Sequence, residues 1–239
     1  MAVLTHAALA VSSGIAIFVK TPALSPVKTR LWPGLGQQCA VALYLISAEA
    51  VASVAKAARQ QVDLQAYWAV AEAEAIHGDA WLELPHLPQG EGGLGQRMAQ
   101  VYRMLRTHHR GAILIGADTP QLEPAALERA ARWLASTEPR LVIGRAEDGG
   151  FWLFGGNVDV PHQAWLAPRY STADTASEFI AALGSTGHWM QLETLRDIDT
   201  VEDLPGVHTD LSALSAPTAE QLRLREWLRG LPLALGASA

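Results

Sequence analysis

Residues 111–120, GAILIGADTP, are an apolar run that stops on a carboxylate, and they restrict the possible folds more than any other stretch of the chain. Residues 112–115 are continuously apolar, with β-branched Ile113 and Ile115 and a glycine on either side. That is the pattern of a short strand buried on both faces of a parallel sheet, and it points to the α/β class. Asp118 then falls just past the strand's carboxyl end. In open α/β sheets ligands bind at that edge, because the loops converge there and the next helix points its amino end inward. An isolated Asp-X-Pro is commonly only a turn. Here Pro120 and Pro124 close the strand and start the next helix, which fixes where the carboxylate points.

Residues 14–20, GIAIFVK, read as a first buried strand that delivers Lys20 to the same edge. The loop that follows is stiffened by Pro22, Pro26 and Pro33. Within it Lys28 and Arg30 alternate with Val27, Thr29 and Leu31, so an extended backbone would project both cations to one side. Lys20, Lys28 and Arg30 thus place three positive charges in eleven residues of an acidic chain. Such a triplet is ordinarily a solvated surface. Its place at the end of the first buried strand, where phosphates bind in α/β folds, makes it a candidate anion site.

Further along, residues 37–60 form one long covered helix in which Cys39 is expected as a small core residue. Residues 62–70 read as a second strand, 72–80 as a short helix and 81–87 as a third strand that ends at Pro88. The segment QGEGGLGQRM, residues 89–98, is a glycine-rich loop entering a helix, with Leu94, Met98, Val101, Tyr102 and Leu105 at helical spacing. It has neither the G-x-x-x-x-G-K-S/T pattern nor G-x-G-x-x-G after a strand. It is either a flexible turn or a ligand loop, and in the second case Gln89 and Arg97 are the groups that touch the ligand.

Residues 124–136 form an amphipathic helix and 141–145 another apolar strand, which runs into AEDGGFWLFGG at 146–156. Adjacent carboxylates before two glycines suit a simple hairpin. Their place at the end of a buried strand also makes Asp148 and Glu147 candidates for a general base or a metal ligand. An irregular loop at 161–171 precedes a helix to about 183 and a last strand at 189–192. In RDIDTVEDL, residues 196–204, Thr200 and Asp203 suit a helix cap, while Asp197 and Asp199 could instead offer a carboxylate to a cation. Thr218 and Gln221 form a capping box for a terminal helix that stops near Gly230, and the tail LALGASA at 233–239 is expected to fray.

With 49 % hydrophobic and 18 % charged residues among 239, the chain has material for one substantial core, and no linker interrupts it. A net charge of -6 argues against nucleic-acid binding, which needs many cations. The single cysteine excludes an intrachain disulfide, and no zinc-type spacing is present. Residues 1–13 carry no basic segment and are interrupted by His6, and no stretch reaches ~18 uninterrupted apolar residues. A cytoplasmic protein without a membrane span is the expectation.

In order, IFVKTPALSPVKTRL, QGEGGLGQRM, IGADTP, AEDGGFWL and RDIDTVEDL resemble a family of uncharacterised bacterial proteins with the GT-A nucleotide-diphospho-sugar transferase fold, DUF2064-like and also labelled arsenosugar-biosynthesis-type glycosyltransferases. The resemblance covers residues 14–205, leaving 1–13 as an N-terminal extension and 206–239 as a C-terminal helical extension. It implies a single three-layer, Rossmann-like domain with a mostly parallel sheet and a nucleotide site at the sheet's carboxyl edge. It further implies that Asp118 is the metal-binding acid of a reduced D-x-D motif, with Asp199 in a related acidic motif. Lys20, Lys28 and Arg30 match the family's basic loop, and Glu147 and Asp148 its EDGG segment. The chain departs from the family pattern at Ser25, Ala117 and Gln96.

The implied activity is transfer of a sugar from a nucleoside-diphosphate sugar to a small-molecule acceptor, with Mg²⁺ or Mn²⁺ on the oxygen ligands. Two alternatives share the fold: a nucleotidyltransferase releasing pyrophosphate, and a noncatalytic nucleotide-binding scaffold.

Overall fold

Ile15, Ile17 and Val19 point to one side of the first strand and Ala16 to the other, and all four are buried. A strand apolar on both faces has to lie inside a layered sheet, and the computed structural model, which describes residues 13–231, places it there. Seven strands form the sheet among these residues: β1 (Ser13–Val19), β2 (Leu64–Val70), β3 (His86–Pro88), β4 (Gly111–Gly116), β5 (Arg140–Ala146), β6 (Phe151–Gly156) and β7 (His188–Leu195). Their spatial order is β3-β2-β1-β4-β6-β5-β7, and β6 alone runs antiparallel to its neighbours.

Alternation along the strands divides the interior in two. Ile113 and Ile115 of β4 join Val51 of a long helix and Leu127 and Leu134 of another on one face; Ala112 and Leu114 join Val101, Trp165 and Phe179 on the other. The helices, in chain order, are α1 (Trp32–Leu35), α2 (Gln37–Ala58), α3 (Leu94–His108), α4 (Pro124–Leu134), α5 (His162–Leu166), α6 (Thr175–Leu183), α7 (Leu204–Ala213) and α8 (Ala219–Arg229). The outer side of α2 is covered as well, since Ala40, Leu43 and Ala50 pack with Leu204 and Val207 of α7 and Leu224 and Leu228 of α8. By length and hydropathy α2 could cross a membrane, yet 56 % of that window is buried here, as in a core helix. Its alanines let it pack closely on both sides.

Four expectations change. Residues 81–85 do not pair as a strand: Trp81 turns inward, with its ring centroid 5.0 Å from that of Trp68 and its indole N–H donating to Thr21 Oγ1 at 3.1 Å, so pairing begins only at His86. Residues 72–80 hold one 3₁₀ turn, Ala73–Ala75. The loop at 161–171 contains α5. Cys39 is exposed, because successive helical residues are about 100° apart and the buried direction at that turn is taken by Ala40. The N-terminal extension up to residue 12 and the tail at 233–239 lie outside the described residues.

The C-terminal helices reach the functional edge through one side chain. Gln221, buried inside α8, donates from Nε2 to the carbonyls of Pro120 and Leu122 at 2.8 and 2.9 Å, just beyond Asp118. It also completes the expected capping box with Thr218. Gln221→Ala is expected to cost about 2–4 kcal/mol, because two buried carbonyls lose their donor and a cavity opens. Urea denaturation measures it.

Candidate active site at the carboxyl edge

β1 and β4 are adjacent and parallel, so the residues that leave them emerge side by side: Lys20 directly after β1 and Asp118 two residues after β4. A cavity of about 560 Å³ opens at that edge. Lys20, Lys28, Arg30, Gln89, Asp118, Asp148, Asp197 and Asp199 all line it. Several elements hold these groups in place. Tyr44 of α2 accepts the backbone N–H of Lys20 at 2.7 Å, and Ser47, one turn on, donates to the carbonyl of Ala117 at 2.6 Å. The chain leaving β7 turns back across the sheet, where Ile198 N–H donates to the carbonyl of Asp118 at 2.9 Å. That crossing brings Asp197 and Asp199 to Asp118.

The cation loop is not extended as expected. Lys28 is left-handed, with φ 49°, and residues 29–31 form a 3₁₀ turn. A left-handed lysine costs on the order of 1–2 kcal/mol, and it is held by its contacts. Nζ of Lys28 lies 2.7 Å from Oδ1 of Asp118 and 3.8 Å from Oδ1 of Asp199, and it donates to the carbonyl of Ile198. Its side chain is 8 % exposed. Arg30 pairs with Asp199 at 3.2 Å from the solvent side, while Lys20 is exposed and forms no ion pair among the described residues.

Asp148 and Glu147 sit in the hairpin between β5 and β6, and they separate. Gly149 has φ 90°, and a Cβ there would run into the carbonyl of Ala173, so the turn requires glycine. Asp148 Oδ1 accepts the N–H of Gly150 at 2.8 Å and lines the cavity. Glu147 is not among the lining residues and pairs with Arg196 at 3.1 Å. Arg97 is likewise outside the lining, its Nε donating to the carbonyl of Gly92. Gln89 lines the cavity, with its Nε2 committed to the carbonyls of Val19 and Ala69. Gln96, a departure from the family pattern, accepts the N–H of Gly93 and so serves the start of α3.

The sequence offers Asp197 with Asp199 as a possible carboxylate for a cation, and the family resemblance singles out Asp199 alone. Both line the cavity, and their proximity in one short irregular segment after β7 was the available signal. Burial, then the charges of Asp118 and Asp148, push the Asp197 carboxyl up to about 8, against the pull of Lys28. Its folded value therefore exceeds the ordinary 3.8, the native state keeps a proton that the unfolded state loses, and stability falls as pH rises between those values. In chelator, Asp197→Asn is expected to flatten that slope and to stabilise the protein by ~2–5 kcal/mol at pH 8 relative to its effect at pH 4. Thermal melts at the two pH values check this. Aromatic and apolar groups complete the lining: Phe18, Leu94, Met98, Phe151 and Tyr170.

A divalent cation fits one part of this cavity. Oδ1 of Asp118 is buried and accepts no hydrogen bond, its approach to Lys28 lying outside hydrogen-bond geometry. The donors nearby are carboxylate oxygens, which suit Mg²⁺ or Mn²⁺. Among the described residues no three such side chains already converge on one point. Mg²⁺ does not need that, since one or two carboxylates with ligand phosphates and water complete its shell.

The strand order with a single antiparallel β6 is a mixed α/β architecture similar in fold to solved nucleotidyl and nucleotide-sugar transferase structures. The chain belongs to the bacterial family described as "Uncharacterized protein conserved in bacteria (DUF2064)", whose model matches residues 50–172. A crystal structure from Desulfovibrio desulfuricans, provisionally named a nucleotide-diphospho-sugar transferase, is 24 % identical, with TM-score 0.76 over 90 % of this chain and 96 % of that one. The 4-diphosphocytidyl-2C-methyl-D-erythritol synthase of Anaerococcus prevotii is 10 % identical, with TM-score 0.51 over 91 % and 99 % of the two chains. A cytidylyltransferase from Leptospira borgpetersenii is 13 % identical, with TM-score 0.51 over 91 % and 94 %. At these identities the likeness is one of fold. No curated protein matches the chain.

Proposed function

We propose that the protein is a metal-dependent glycosyltransferase that moves a sugar from a nucleoside-diphosphate sugar to a small-molecule acceptor. The observation that carries this is the convergence, in one cavity, of Lys20, Lys28 and Arg30 with Asp118, Asp148, Asp197 and Asp199. Departure of a nucleoside diphosphate builds negative charge on the leaving oxygen, and fixed cations in a partly dry site stabilise it. Lys20 and Arg30 reach the diphosphate from the open side. Asp118 and Asp199 would hold Mg²⁺ or Mn²⁺, which supplies further charge neutralisation at the diphosphate. Asp148, oriented by the Gly150 N–H, takes the proton of the acceptor hydroxyl as the bond from that oxygen to the sugar's anomeric carbon forms and the bond to the diphosphate breaks. Glu147, held by Arg196, has the weaker claim to that role.

Nucleotidyl transfer with pyrophosphate release is the second reading, supported by the two cytidylyltransfer enzymes that share the fold. The first loop favours sugar transfer, because loops that wrap a triphosphate are glycine-rich and this one has no glycine between Lys20 and Gly34. Incubation with nucleotide sugars and with nucleoside triphosphates, each with Mn²⁺ and a mixed pool of hydroxylated acceptors, separates the two. Release of a nucleoside diphosphate from a nucleotide sugar is expected; pyrophosphate release from a triphosphate alone would overturn the proposal in favour of the second reading.

A further inference from the structure

A second cavity of about 410 Å³ lies at the other edge of the sheet, where β6 ends and the chain turns into α5. Arg103 and Arg106 of α3 line it from one side, with Asp159 and His162 from the other and the buried rings of Tyr102 and Trp165 beneath. None of these residues belongs to the carboxyl-edge site.

Residues three apart on a helix are surface neighbours, so both arginines leave α3 on one side and bring two positive charges to one cavity wall. Neither forms an ion pair among the described residues, although the chain is acidic overall and arginines such as Arg129, Arg169 and Arg223 are paired. Arg106 is fixed by a hydrogen bond from Nη1 to the carbonyl of His109 at 3.1 Å. Its Nε is buried and has no hydrogen-bond partner. An unsatisfied buried donor on a charged group is costly, and it leaves the charge of this guanidinium only partly compensated beside the cavity. Asp159 offers one carboxylate to two guanidinium groups, which leaves net positive charge over an aromatic floor.

We propose that this cavity is a second binding site, specific for a small oxyanion, in which Arg103 and Arg106 grip a phosphate or carboxylate group. Planar guanidinium groups recognise such oxyanions in bidentate fashion, which a surface lysine would not. The site does not depend on the sugar-transfer reading. One hydrogen bond links the two linings: the carbonyl of Trp165 in this floor accepts the hydroxyl of Tyr170 at 2.7 Å, and Tyr170 lines the carboxyl-edge site.

Calorimetric titration of the full chain with inorganic phosphate, and separately with citrate, tests the proposal and tells the phosphate source from the carboxylate. Wild type is expected to bind at least one of the two. A variant with Lys20→Gln and Arg30→Gln, which weakens the first cavity, should retain that binding. Arg103→Gln with Arg106→Gln should lose it by tenfold or more. Arg103→Glu, which leaves the Arg106 bond to His109 intact, should lose it as well, and thermal melts verify that both variants are folded. Binding that survives in both Arg103 variants, binding that disappears with the Lys20 and Arg30 changes, or absence of binding by either anion to wild type would each overturn the proposal.

Discussion

Lys28→Met is expected to raise the affinity for Mn²⁺ at least tenfold in the absence of nucleotide, and to lower the melting temperature in chelator. The ammonium group of Lys28 stands 2.7 Å from Asp118 and 3.8 Å from Asp199, nearly excluded from solvent, on the same oxygens proposed for the metal. If these carboxylates hold the proposed metal, the metal and the lysine compete for them in wild type. A nucleoside diphosphate offers Lys28 another anion, so metal and nucleotide should bind wild type with positive coupling, each raising the affinity for the other by the same factor. Removing the lysine removes the competitor and the share of the coupling that passes through it, leaving the direct attraction between metal and diphosphate. It also leaves the carboxylates un-neutralised, at a cost of about 1–3 kcal/mol that Mn²⁺ restores. Calorimetric titration of Mn²⁺ into both proteins, with and without a nucleoside diphosphate, measures each quantity. Equal or weaker Mn²⁺ binding by the variant would show that Lys28 supports the cation rather than competing with it.

Asp118→Asn should lower kcat/KM with the nucleotide sugar that proves to be the substrate by about 10²–10³-fold, the loss typical of one charge-stabilising group in a transition state. The fold should persist, since the bond that ties this segment to the β7 crossing uses the backbone carbonyl of Asp118, and the substitution keeps the side chain's size. Steady-state kinetics beside a melting curve separates the two effects. A loss below tenfold in a folded variant would remove Asp118 from the chemistry.

The sheet was legible because strands buried on both faces are continuous apolar runs, and β1, β2, β4, β5 and β6 carry that pattern. The caps were legible for a local reason too: Thr200 with Asp203, and Thr218 with Gln221, close within one turn. The short β3 was not, because a segment that starts on Trp81 suits either a strand or an inward-turning loop, and Trp81 turns in to pack on Trp68 of β2. Tertiary packing made the choice.

The candidate site divides in the same way. Lys20 and Asp118 are placed by the strands they follow, and position along the chain was enough to find them. Lys28 and Arg30 line the cavity, but they reach it through a left-handed residue and a 3₁₀ turn and not through the extended geometry expected for them. Arg97 and Glu147 were separated from the other candidates by contacts invisible in the chain order, the carbonyl of Gly92 for one and Arg196 for the other. Asp197 joins the site because the chain doubles back after β7, and its neighbours there come from β4 and the β5–β6 turn.

The most direct test of the central claim is a thermal-shift panel of nucleoside mono-, di- and triphosphates and nucleotide sugars, with and without Mn²⁺, on wild type and Asp118→Asn. A ligand raises the melting temperature only through its affinity for the folded state, so the panel reports ligand class directly. Stabilisation by one nucleoside diphosphate or its sugar, dependent on Mn²⁺ and lost in the variant, is the predicted result. Stabilisation by triphosphates alone, or shifts indifferent to Mn²⁺ and to Asp118, would contradict it.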